Sequence, residues 1–142
     1  MLKKTITCTD FDGNEYTEDY YFHLSKSEIA EMDLEKVGGL YGYAKKLALE
    51  DTDENREKLM KLYRKLILKS YGRKSADGRR FEKDDKWTKE FSETNAFDAL
   101  YIELLSGENA FLDFCKGITP SDVSSKMDDK MVLAEANKLL NK

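Results

Sequence analysis

The chain has 142 residues, of which 40% are hydrophobic and 37% charged, with a formal net charge of −4. That length forms most economically one domain and can bury roughly 70% of the surface its unfolded form exposes, so neither metal nor disulfide is needed to hold a core. Low apolar content with high charge suits well-solvated helices better than a deep α/β core, and the negative balance argues against general nucleic-acid binding, which needs clustered cations to displace phosphate counterions.

The N-terminal stretch KKTITCTDFDGNEYTEDYYFHL predicts a β-hairpin over residues 3–24. Ile6 and Cys8 alternate with Thr5, Thr7 and Thr9, the period of a half-buried strand. Tyr16, Tyr20, Phe22 and Leu24 then share one face, and Thr17, Asp19 and His23 the other. Asp12-Gly13 supplies the turn, because glycine reaches positive φ without a Cβ clash. A lone hairpin is marginal in water, so this one must lie on helices, pair with a further strand, or pair with another copy.

The helical part is predicted over residues 25–120. Ser25 and Glu28 have capping-box spacing, with Leu24 and Ile29 placed as a hydrophobic staple, and Gly38-Gly39 ends that segment. A second helix is expected from near Leu40, with Tyr43, Ala44, Leu47 and Ala48 on one stripe. Asp51 or Thr52 caps a third, whose stripe is read as Leu59, Met60, Tyr63, Leu66, Ile67 and Tyr71. Glu54/Lys58 and Glu57/Lys61 pair along its outer face, and Gly72 is the expected C′ residue. Trp87 and Phe91 suggest a short helix, and Thr94 caps one carrying Phe97, Leu100, Tyr101, Leu104 and Leu105. Ala110, Phe111, Phe114 and Cys115 form another, closed by Gly117 and Pro120. Residues 121–142 read as an appended tail, helical in its spacing. The fold class is therefore α+β, predominantly helical: an N-terminal hairpin followed by about six helices.

Chemistry-bearing motifs are sparse. Cys8 and Cys115 with His23 fall short of the four ligands of a structural zinc site, and both cysteines read as reduced thiols. Asp51-Thr52-Asp53-Glu54-Asn55-Arg56 begins like a calcium loop but lacks the glycine at its sixth position and the glutamate at its twelfth, which is Leu62. His23 has no catalytic motif around it, and no nucleophile elbow, HExxH or GxxxxGK[ST] occurs. No cofactor, metal or catalytic residue is predicted. No run of about 20 apolar residues crosses a membrane, and the N-terminus lacks an apolar signal region, so a cytoplasmic location is expected.

The segment YGRKSADGRRFEKDD follows a helix, whereas a phosphate loop follows a strand and opens a helix. Over residues 68–85 the six cations, Lys69, Arg73, Lys74, Arg79, Arg80 and Lys83, exceed the four carboxylates, Asp77, Glu82, Asp84 and Asp85, by only two. Asp77-Gly78, with Ser75 beside it, reads as a structural tight turn that could also dock a protein partner.

Three stretches, DFDGNEYTEDYYFHLSKSEIAEM, SYGRKSADGRRFEKDD and FSETNAFDALYIELLSGENAFLDFCKGITP, give residues 1–120 a resemblance to tail assembly chaperones of long-tailed bacteriophages infecting Gram-positive hosts. Ser70 to Phe81 is the most specific part, although Arg73 stands where that family tends to carry an acidic or neutral residue. The resemblance implies a non-enzymatic role in the host cytoplasm: coating the long, aggregation-prone tape measure protein, keeping it soluble, helping to recruit tail-tube subunits, and leaving before the virion is complete. It fits a chain in which tyrosines interleave with charge, since their rings anchor contacts while their hydroxyls stay wet. Candidate partner-binding positions are Tyr41, Tyr43, Tyr63 and Tyr71 on helical stripes, with Tyr101 of the same kind. Arg73, Lys74, Arg79, Arg80 and Phe81 of the turn segment, with Trp87 after it, complete the set. An unpaired hairpin edge would favour self-association into rings or spirals. The competing reading is a small phage protein that binds a host protein, which calls for acidic residues gathered on one face; here they interleave with lysines.

Overall fold

The computed structural model describes residues 1–34, 43, 46–47, 49–107 and 109–120. In chain order the elements are β1 (Leu2–Thr9), β2 (Glu15–Phe22), α1 (Lys26–Leu34), α2 (Asp53–Ser70), β3 (Tyr71–Lys74), β4 (Phe81–Glu82), α3 (Asp85–Ser92), α4 (Asn95–Ser106) and α5 (Ala110–Ile118). This is the expected α+β architecture. Tyr43, Lys46, Leu47 and Leu49 are helical, while Tyr41 and the rest of the helix expected there, the Gly38-Gly39 stop and the tail after residue 120 lie outside the described residues.

The strands form one antiparallel sheet in the order β1-β2-β3-β4. β1 and β2 pair along their full length, from Leu2↔Phe22 to Thr9↔Glu15. Their even-numbered residues face the helices, and their odd-numbered ones carry a polar ladder in which Thr5 Oγ1 donates to Asp19 Oδ1 (2.6 Å) and Thr7 and Thr17 share a hydrogen bond (2.8 Å). The sequence left three ways to stabilise the hairpin, and two operate at once: a helical layer covers one face and β3 extends the sheet.

Local rules hold at the helix starts. Ser25 N–H donates to Glu28 Oε1 (3.0 Å) while Glu28 N–H donates back to Ser25 Oγ (3.2 Å), a closed capping box. Thr52 and Thr94 accept from Asn55 N–H and Phe97 N–H, and Asp84 accepts from Lys86 N–H. Both i,i+4 pairs of α2 form, Glu54–Lys58 at 3.2 Å and Glu57–Lys61 at 3.1 Å.

The segment from Ser70 to Phe81 is a second hairpin. Gly13 and Gly78 each sit at positive φ, 86° and 74°, in the two turns. Ser75 Oγ accepts from Arg80 N–H (3.0 Å) and donates to Asp77 Oδ1 (2.6 Å), closing the turn expected there. Gly72 has a different role from the helix-capping one expected. Its φ is negative and α2 runs straight into β3; glycine is needed because a Cβ would lie 2.5 Å from the Phe81 ring and 2.6 Å from the Glu82 carbonyl. Gly117 likewise does not end α5 but lies inside it, where the Leu2 side chain would sit 2.9 Å from a Cβ. The buried face of α2 is Leu62, Leu66, Ile67 and Ser70, so the expected stripe omits Leu62 and wrongly includes Met60, which is 42% exposed.

The core centres on Phe22, fully buried and ringed by Tyr71, Phe91 and Phe114 at centroid distances of 5.9, 5.8 and 5.4 Å. Where β2 ends, His23 N–H donates to the Ser70 carbonyl (2.8 Å) and Leu24 N–H to the Ile118 carbonyl (2.7 Å), so the strand exit is clamped by the C-termini of α2 and α5. His23 packs edge-on to Phe81 (5.6 Å), and its Nδ1 is buried with no hydrogen-bond partner among the described residues. Burial, then the N-terminal ammonium and Lys83, push its pKa below the ordinary 6.5. Cys8 and Cys115 form no disulfide, and among the described residues no helix is long and apolar enough to cross a membrane.

Two outcomes follow. Gly72→Ala lowers the thermal midpoint, because the carbonyl of Glu82 is main chain and cannot step aside; the cost is about 1–3 kcal/mol, read by calorimetry. The depressed His23 pKa means that the unfolded chain takes up the proton first. Its contribution to stability is present above pH 6.5 and lost as pH falls through that value towards the folded pKa. Urea midpoints at pH 7.5 and 5.5 will therefore differ, and His23→Phe will shrink the difference.

Candidate functional site

Two surfaces leave apolar groups open. The first runs along α2 and α4. Tyr101 OH donates to the Met60 carbonyl (3.1 Å), which holds the solvent flank of α4 against α2. Tyr101 is half-buried and stacks on the core ring of Phe97 (5.8 Å), and the Arg64 guanidinium lies over the same ring (5.0 Å). Moving outward round α4, Leu105 is one turn beyond Tyr101, and Ile102 follows; they are 37% and 56% exposed. Tyr63, from the same flank of α2, stacks on Phe111 of α5 with centroids 3.8 Å apart. Phe97, Leu100 and Leu104 satisfy the core from the opposite side of α4, so Ile102 and Leu105 are surplus apolar residues for a helix of this size.

The second surface is a cleft beside β2. β3 pairs with β2 only at Tyr21↔Gly72 and Phe22↔Tyr71, then turns away to pair with β4. The gap of about 400 Å3 is lined by Glu18, Asp19, Tyr20, Tyr21, Tyr71, Gly72, Arg73 and Lys74. On the helix side it continues into a space of about 430 Å3 that reaches Tyr16, Trp87, Glu90 and Phe91. Arg73 lies over the Trp87 ring at 4.3 Å, within cation–π range. Tyr20 is pushed above the ordinary phenol range chiefly by burial, and Tyr16 chiefly by its hydrogen bond with Cys8, so both stay neutral at working pH. Charge in the cleft therefore comes from its carboxylates, Arg73 and Lys74.

Only some of the sequence-named residues fall in these places. Tyr63 belongs to the helical strip, and Arg73, Lys74 and Trp87 to the cleft. Tyr71 also lines the cleft but is only 7% exposed, its ring stacked on Phe91 at 4.4 Å. Tyr43 is half-buried against the core. Arg79 and Arg80 are exposed at the second hairpin's turn, Arg80 3.9 Å from Glu82, and Phe81 is half-buried beside His23. Lys83 ties the hairpin's far end to the α1 cap, 2.6 Å from Glu28. Sequence reasoning missed Ile102 and Tyr16 as surface contributors. Ile102 could have been found, since it is a large apolar residue lying off the stripe of its own helix.

Among the described residues no three His, Cys, Asp or Glu side chains converge as a metal site would require. Comparisons with curated proteins and with solved structures returned no match. A family model described as phage tail assembly chaperone matches residues 1–141, reaching through the segment after residue 120. The chain belongs to the phage tail assembly chaperone family.

Proposed function

We propose that this chain binds the tape measure protein of a long-tailed phage infecting a Gram-positive host and holds it soluble in the host cytoplasm while the tail assembles. The observation that carries this reading is the exposed strip Tyr101–Leu105–Ile102, which α2 flanks at Met60. An amphipathic client helix needs such a strip to lay its apolar face on, and the charged faces on either side keep the complex in solution. No bond is made or broken in this role, tail-tube subunits are recruited to the complex, and the chaperone departs before the virion is complete. Residues 1–120 act as the binding unit with 121–142 appended. Several copies cover one client, associating through the outer edge of β1, where the described residues place no further strand.

Co-expression with the tape measure protein tests this. The wild-type chain raises the client's soluble fraction several-fold, and the double variant Ile102→Asp/Leu105→Ser abolishes that gain while its circular dichroism stays near wild type, since Ile102 is 56% and Leu105 37% exposed. An unchanged soluble fraction with the wild-type chain, or full activity of the folded double variant, overturns the reading.

A further inference from the structure

The β2 edge exposes more than side chains. Asp10 N–H donates to the Asn14 carbonyl (2.8 Å), which fixes the hydrogen-bonding parity of the first hairpin. Cys8↔Tyr16, Ile6↔Glu18 and Lys4↔Tyr20 are then the pairs that exchange main-chain hydrogen bonds, and the main-chain groups of Glu15, Thr17 and Asp19 point to the other edge. The same parity is visible at His23, whose N–H points away from β1 to the Ser70 carbonyl. β3 satisfies this edge only at its C-terminal end, through Gly72 and Tyr71. Among the described residues no strand pairs with Thr17 and Asp19 on that side, and Glu18, Asp19, Tyr20 and Tyr21 of this strand line the cleft.

We infer that this notch receives a single extended, lysine- or arginine-bearing segment of a partner polypeptide, which adds to β2 as a strand between β2 and the departing β3–β4 hairpin. Strand addition uses the idle N–H and C=O groups for affinity and the pockets on either side for alternate side chains. The pocket on the helix side offers Tyr16 and Trp87, both half-buried, as an apolar floor for one side chain of the guest. Charge selects the rest: Asp10, Glu18, Asp19 and Glu90 line the two spaces against Arg73 and Lys74, and Arg73 is already seated on Trp87. The edge of a second copy fits poorly, because the strand behind it would enter the space that the β3–β4 hairpin occupies. A lone strand of about four residues has no such neighbour. This surface is separate from the helical strip assigned to the tape measure protein, and its test does not need that client.

The probe is the blocked peptide Lys-Val-Lys-Tyr-Lys-Val-Lys, titrated into the isotopically labelled full chain. Saturation slows hydrogen exchange at the Thr17 and Asp19 amides by about tenfold or more, and leaves the Thr5 and Thr7 amides at the opposite edge unchanged. The glutamate counterpart of the peptide, and a version N-methylated at alternate amides, each bind at least about tenfold more weakly. Thr17→Pro removes one outward N–H at an unpaired edge and produces the same loss. Should that variant fail to fold, Glu18→Lys/Asp19→Lys gives the equivalent readout through charge. The proposal is overturned if the lysine peptide does not bind saturably, if protection appears at the β1 edge instead, or if the methylated or glutamate peptide binds as well.

Discussion

Everything in this fold hangs on one aromatic cluster, the rings of Phe22, Tyr71 and Phe91. Phe22 comes from the first hairpin, Tyr71 from the junction of α2 and β3, and Phe91 from α3, so a single contact set joins three separate parts of the chain. Tyr20 adds to it at 5.1 Å from Phe91, and Phe97 of α4 closes it edge-on at 5.7 Å. Offset and edge-on ring pairs contribute about 0.5–1.5 kcal/mol each beyond their area burial. In a chain only 40% hydrophobic, concentrating large rings at one point is how a core of adequate size is reached.

The same cluster explains why, among the described residues, the β2 edge is paired only at its C-terminal end. Tyr71 must sit under the sheet to stack on Phe91, which brings β3 against β2 at its C-terminal end. Two residues later Arg73 is drawn over Trp87 and the strand pairs with β4 instead. The β3–β4 hairpin is stabilised by its own turn, by the close fit of Gly72 under Phe81 and by the ion pair between Lys83 and Glu28. Burial opposes ionisation of Glu28, yet the hydrogen bonds from Lys83 and Ser25 outweigh it and hold the carboxyl below its usual range. A hairpin anchored at both ends in this way has no need of β2 along the remainder of its length.

On the helical side, a short amphipathic helix has one core stripe, and any large apolar residue outside it must face water or a partner. Leu105 and Ile102 occupy that position on α4, next to a tyrosine whose hydroxyl is bonded to the α2 main chain. Two surfaces of different type thus coexist among the described residues, an exposed apolar strip and a cleft beside a strand edge. Membership of the phage tail assembly chaperone family implies phage tail proteins as partners of the chain.

What the sequence by itself determined was everything governed by neighbours a few residues apart. The Ser25–Glu28 capping box, the Thr52 and Thr94 caps, the i,i+4 ion pairs of α2 and the two glycine turns depend on local spacing, which a sequence states directly. Tertiary structure alone decided which side of each element faces inward and what packs against it. Tyr71 and Tyr63 look equivalent as stripe tyrosines, yet one lies in the core and the other on the surface-facing flank of α2. Leu62 displaces Met60 from the buried face because the partner of α2 fixes its rotation about its own axis. Gly72 carries no mark distinguishing a helix cap from a close approach, since the atoms that crowd it belong to Phe81 and Glu82, about ten residues further along the chain. Burial is a property of pairs distant in sequence, and local spacing cannot encode it.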